Sequence, residues 1–279
     1  MGTTGPVQEM REEREKQKQN ALTKLSQFMR EKLALKRPVF FVPGWTDEDN
    51  TWWTTNDTKL GLSVKGRFSE IFTNADLAEY VTFSDQESEK CKSFLDFGYV
   101  LRNKIFKKIG TDMEFDLIGH SMGGLDSVAA VIDDALPLLK INSLITVATP
   151  HRGSELGEIG PIFKDYQPHH AMQCVNLDPD QMPIKFVNQP EIRKKLLGRV
   201  NELYCLMGTV DMAVMRSARL NRENLDPNLY KKKVEILEIG GATHTGKAGI
   251  TLDPRTALKI ISILMDFPLE KPRYNYGYI

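Results

Sequence analysis

The sequence predicts an α/β fold in which a mostly parallel sheet is covered by helices on both faces. Three observations carry that expectation. Short continuous apolar runs, such as VFFV, DLIG and LITV, suit strands buried on both faces. Between them lie segments with apolar residues at three- and four-residue steps, the spacing of amphipathic helices. The two kinds of segment alternate along most of the chain, as expected of parallel strands joined by crossover helices.

Taken in order, residues 7 to 36 read as one highly charged helix, polar at first and then apolar at Leu22, Leu25, Phe28, Met29 and Leu33, which share a face. Its second half is expected to pack and its first half to stay solvated. This divides the chain into a charged N-terminal helix, residues 1–37, and a main domain, residues 38–279. PVFFVPGW (38–45) is the first expected strand, ended by Pro-Gly, and YVTFS (80–84) the second. Phe94, Phe97, Leu101, Ile105 and Ile109 place a helix over 88–109. The alternation continues through FDLIG (115–119), a helix from Met122 to Leu138, SLITVAT (143–149), ELYCLMG (202–208) and VEILEIG (234–240). A last helix opens at Pro254, a favourable first-turn residue. Residues 155–200 break this rhythm with prolines and scattered apolar residues. Long irregular connections inside compact domains usually serve as lids or binding segments, so an inserted cap is expected there.

Bulk properties narrow the function. The 279 residues carry 37 basic and 37 acidic side chains, so no net field draws the chain to nucleic acid. Cys91, Cys174 and Cys205 are odd in number and widely spaced, which points to packing rather than to bridges or a zinc cage. The N-terminus lacks the apolar stretch of a secretory leader, no segment reaches the length of a membrane span, and Pro6 stands where an acylation signal needs Ser or Thr. A cytoplasmic chain is expected, with secretion left open if a leader was removed.

The chemistry centres on Gly119-His120-Ser121-Met122-Gly123, which fits G-x-S-x-G and sits where an expected strand gives way to an expected helix. Such a reversal is too tight for side chains beside the serine, and it pushes the hydroxyl outward. A serine hydroxyl needs a base to become a nucleophile, and histidine is the usual one. Of the five histidines, His120 is read as a packed neighbour and His151 as a residue that could line the site, while His169 and His170 fall in the cap. His244 follows the last strand in the glycine-flanked loop GGATHTGKAG and is the best base. Asp211, at the end of LYCLMGTVD, is the acid that would orient it; Asp126, Asp178, Asp180, Asp226 and Asp253 are less suitably placed. The oxyanion of acyl transfer would take the backbone N–H of Met122 and a second from Gly44 or Trp45.

Together FFVPGW, DLIGHSMGGLDS, ITVATPHRGSELG, LMGTVDMAV and THTG resemble the α/β-hydrolase superfamily, over about residues 38 to 266. Within it they are similar to the lipase-like branch of triacylglycerol lipases, inositol-deacylase-like enzymes and lecithin-cholesterol-acyltransferase-like hydrolases, and ATPHRGS is what narrows the match. The resemblance implies an α/β-hydrolase fold with a cap after TPHRGS, and a serine ester hydrolase of the Ser-His-Asp type. The charged N-terminal helix departs from the antiparallel strands with which many members begin. An acyltransferase of the same chemistry and a catalytically silent binding protein are the alternatives. The cap residues Ile162, Phe163, Met172, Val175, Met182, Ile184, Phe186 and Val187 are more apolar than a solvent loop needs, and Trp52 and Trp53 lie just beyond the oxyanion turn. Trp52, Trp53, Phe163, Met172 and Phe186 are therefore candidates to line an acyl groove. The implied partner is an apolar acyl ester or lipid, with transient contact at a lipid surface; no cofactor or metal is implied, and oligomeric state stays open.

Overall fold

The strands are short and apolar because helices cover both of their faces. In a computed structural model the described residues are 6–44, 64–154, 177–214, 217–244 and 249–269. Strands β1 (Val39–Val42), β2 (Ala78–Tyr80), β3 (Phe115–His120), β4 (Ile141–Val147), β5 (Val200–Gly208) and β6 (Val234–Ile239) form one sheet in the order β2-β1-β3-β4-β5-β6. Every neighbouring pair is parallel. This is the arrangement of an α/β-hydrolase fold.

Alternation along β1 divides the core. Phe40 and Val42 face the cluster built by α4 (Phe94–Ile109), α5 (Met122–Ile132) and α7 (Pro190–Arg199). Val39 and Phe41 face the one built by α1 (Pro6–Glu31), α2 (Val64–Ile71) and α9 (Pro254–Leu264). Shorter helices α3 (Asp85–Lys90), α6 (Met182–Val187) and α8 (Pro227–Lys233) are also present among the described residues.

Element ends depart from the sequence reading in three places. The helix expected over 88–109 is two helices, since the Asp96 carboxylate accepts from Lys92 N and Ser93 N at 2.8 and 2.9 Å and starts α4 afresh. Helix α5 stops at Ile132, short of Leu138. Arg199 Nη1 donates to Val131 O and Asp133 O, and Arg102 Nη2 to Ala135 O and Pro137 O, so one carbonyl of the last turn and three of the segment after it find partners without another helical turn. Strand β2 begins two residues earlier than expected and ends at Tyr80, although Val81 N still donates to Phe41 O at 2.8 Å.

The charged helix α1 is docked along more of its length than its composition predicts. Ala21, Leu25 and Phe28 are buried, as the apolar face requires. In the polar half, Gln17 Oε1 accepts from Arg255 Nη1 at 3.5 Å. Of the interval expected as a cap, residues 155–176 lie outside the described residues. Residues 190–199 form α7, the crossover helix that packs on α5 and β5, with Leu196 and Leu197 buried. Among the described residues, no helix is long and apolar enough to cross a membrane.

Candidate active site

Strand β3 and helix α5 meet at Ser121, whose φ of 53° and ψ of −126° are rare for a residue with a side chain. The turn is locked by Ser121 N donating to Val147 O at 2.9 Å and Gly124 N donating to Ser121 O at 3.1 Å. Its neighbours have to be glycine. A Cβ on Gly119 would stand 2.5 Å from Gly123 O, and one on Gly123 would overlap the backbone oxygens of Val42 and Pro43 in the end of β1.

The acid loop leaves β5 at Gly208. Asp211 is fully buried there, and its Oδ1 accepts from Ala213 N at 3.0 Å and Val214 N at 3.2 Å. That leaves Oδ2 for a longer reach. The histidine loop leaves β6 at Gly240, turns at Gly241 with φ 76°, and brings His244 over the sheet edge.

These three loops converge. His244 Nδ1 lies 2.9 Å from Asp211 Oδ2, and His244 Nε2 lies 2.9 Å from Ser121 Oγ. A carboxylate can only accept, so Nδ1 carries the proton and donates it to Asp211, while Nε2 accepts from the Ser121 hydroxyl. The arrangement supplies a hydroxyl whose proton has an acceptor in reach, and an acceptor whose far side is fixed by a buried anion. Parallel strands make this possible, because β3, β5 and β6 all present their C-terminal ends on one edge.

Met122 is the first residue of α5, so its N–H has no acceptor within the helix and points out of the helix start. Gly44 passes directly over the turn: a Cβ on it would come within 3.1 Å of Ser121 Cβ and 3.2 Å of His120 Nδ1. Trp45, Trp52, Trp53, Phe163 and Met172 lie outside the described residues, as do His169, His170 and Cys174. Phe186 is described, and it packs against the α4–α5 cluster beside the buried Ile184 and Val187.

Two further histidines are described, and both are buried. His120 is buried with its ring centroid 5.2 Å from that of His244. Burial first, and the nearby His244 second, push its pKa well below the usual histidine range, so it stays neutral. His151 is 3% exposed. It is buried under β4 with Nε2 2.9 Å from Thr146 Oγ1, and burial lowers its pKa to about 4. Among the described residues, no group of His, Cys, Asp and Glu could hold a metal ion.

One contact at the site has no local signal in the sequence. Ser154 Oγ donates to Ala213 O at 2.8 Å, and Arg152 N donates to Ser217 O at 3.3 Å, so the HRGS stretch after β4 braces the loop that carries Asp211. Only the fold brings the two segments together.

Comparison with known proteins supports the fold. The PGAP1-like alpha/beta domain family matches residues 103–182, a stretch that holds Ser121 but neither Asp211 nor His244. No curated protein matches the chain. A Bacillus licheniformis lipase, BlEst2 in its mature form, superposes with a TM-score of 0.52 at 17% identity, over 84% of this chain and 94% of that one. The phospholipase PlaB from Legionella pneumophila gives a TM-score of 0.56 at 16% identity over 81% of this chain, which spans only 59% of PlaB. A metagenomic carboxyl esterase, MGS0156, gives 0.52 at 13% identity, over 84% and 78% of the two chains. The chain therefore has an α/β-hydrolase fold resembling those of lipases and esterases.

Proposed function

We propose that the chain is a serine hydrolase of carboxylic esters acting through an acyl-enzyme. The observation that carries this reading is the unbroken line from Ser121 Oγ through His244 to Asp211, with 2.9 Å at each junction. Ser121 is the nucleophile. As its Oγ attacks the ester carbonyl, His244 Nε2 takes the hydroxyl proton, and Asp211 stabilises the imidazolium without itself being protonated. The tetrahedral oxyanion is met by the N–H of Met122 and by that of Gly44 or Trp45. His244 then returns the proton to the departing alcohol, and water repeats the sequence on the acyl-enzyme to release the acid.

The substrate is an ester with an apolar acyl chain. Val210 and Met212, on either side of the buried Asp211, are 46% and 95% exposed, which supports an apolar surface beside the site. Trp52, Trp53, Phe163 and Met172 are proposed to continue it. Each methylene buried contributes up to about 0.8 kcal/mol, close to fourfold in binding. Specificity constants for p-nitrophenyl esters, measured below their micellar limits, should rise from acetyl through butyryl to octanoyl. A steady fall from acetyl onward would refute the lipid-like substrate and leave a hydrolase of small esters.

A further inference from the structure

Helices α1 and α9 lie side by side and run in the same direction. Gln17 meets Arg255 in the first turn of α9, and Phe28 meets Phe267 just beyond its end, with ring centroids 5.6 Å apart. This alignment carries the polar half of α1 to the sheet edge where β6 gives way to the His244 loop. There the Arg14 side chain lies across the Gly240–Gly241 turn. A Cβ on Gly241 would stand 3.0 Å from Arg14 Cδ.

Arg255 holds the same turn. Its Nη2 donates to Gly240 O at 2.8 Å, while Nε and Nη2 reach the Asp253 carboxylate at 2.9 and 2.7 Å. Two further bonds join the turn to the acid loop. Gly241 N donates to Thr209 Oγ1 at 2.8 Å, and Val210 N donates to Ala242 O at 3.3 Å. The loops that deliver His244 and Asp211 are thus tied to each other, and the histidine loop is also held by α1. Ser121 is fixed separately, through Val147 O.

We propose that α1 is a positioning element for the histidine. Arg14 by packing, and Gln17 through Arg255, hold the Gly240–Ala242 turn against the acid loop and set His244 between Ser121 and Asp211. The effect on rate rests on the hydrolase reading above; the effect on the loop rests on geometry alone. Proton transfer needs the imidazole aligned within a fraction of an ångström, whereas ester binding does not, so loosening the turn lowers kcat and spares KM.

The test compares the wild type, an Arg14→Ala/Gln17→Ala double variant and Arg14→Lys in the full chain. Amide exchange over residues 239–244 is read by mass spectrometry, alongside kcat and KM on p-nitrophenyl butyrate and the melting temperature. The double variant should exchange faster across the turn and lose about tenfold in kcat, with KM within about twofold and melting close to wild type. Arg14→Lys keeps the packing stem and should recover most of the rate. Wild-type kcat in the double variant overturns the inference, whether or not exchange changes. So does a joint shift of kcat, KM and melting that lysine fails to rescue, since that is general destabilisation. A wild type without ester turnover refutes the hydrolase reading instead, and exchange alone then decides whether α1 holds the turn.

Discussion

Asp211 uses its two oxygens for two tasks. Oδ1 is consumed by the N–H groups of Ala213 and Val214, which fix the carboxylate, and Oδ2 is thereby aimed at His244. Asn at this position offers an amide where His244 needs an acceptor, or turns the ring to the wrong tautomer. Asp211→Asn should therefore cut kcat by about three to four powers of ten with the fold intact. The other carboxylates have structural duties: Asp226 caps α8 through Asn228 N, and Asp253 is buried against Arg255. Asp226→Asn should leave turnover near wild type, and a severe loss there with a mild one at Asp211 would move the acid. Ser154→Ala removes one bond to the acid loop and should lower kcat by about fivefold, the worth of one ordinary hydrogen bond, which steady-state kinetics can read. The convergence of Ser121, Asp211 and His244 was legible in the sequence because each follows a strand end with local punctuation. Ser154, Arg14 and the ring contact of His120 were not, since their partners lie far off in the chain.

At the scale of elements, the turn at Ser121 is held by backbone against backbone, which leaves nothing flexible to yield. A methyl group on Gly123 meets the carbonyl oxygens of Val42 and Pro43. Gly123→Ala should destabilise the fold by about 2–3 kcal/mol or shift β1 away from α5, and urea unfolding followed by circular dichroism would register it. An unchanged midpoint would mean that the turn is looser than its geometry. The strands themselves were readable from composition alone, because burial on both faces demands continuous apolar runs. Helix ends were not. Arg199 and Arg102 hold the carbonyls at and after the end of α5 through tertiary contacts that no local pattern encodes, whereas the start of α4 is a local Ser93–Asp96 capping box that the periodicity alone passed over.

At the scale of the molecule, two buried neutral histidines couple folding to acidity. Burial holds His151 at about 4 and pushes His120 well below its usual range. The unfolded chain titrates both near about 6.5, so between there and about 4 it binds protons that the folded chain refuses. Their contribution to stability is whole above about 6.5 and shrinks as pH falls through that window. For His151 it amounts to something on the order of 3 kcal/mol by pH 4. Asp126 is buried as well, and burial raises its pKa well above the carboxylate range, which gives a slope of opposite sign. The histidine effect is therefore best isolated by comparing wild type with His151→Gln in urea unfolding at pH 7 and pH 4.5. The variant should lose less stability on acidification. Equal losses would place His151 in contact with solvent.

The central claim is that Ser121 is a nucleophile activated by His244 and Asp211, and labelling with a fluorophosphonate followed by peptide mapping tests it most directly. Stoichiometric modification of Ser121 alone is expected, abolished in Ser121→Ala and slowed by orders of magnitude in Asp211→Asn, with ester turnover lost in parallel. Stoichiometric labelling at another residue, or a Ser121→Ala protein that still hydrolyses esters near the wild-type rate, would contradict it.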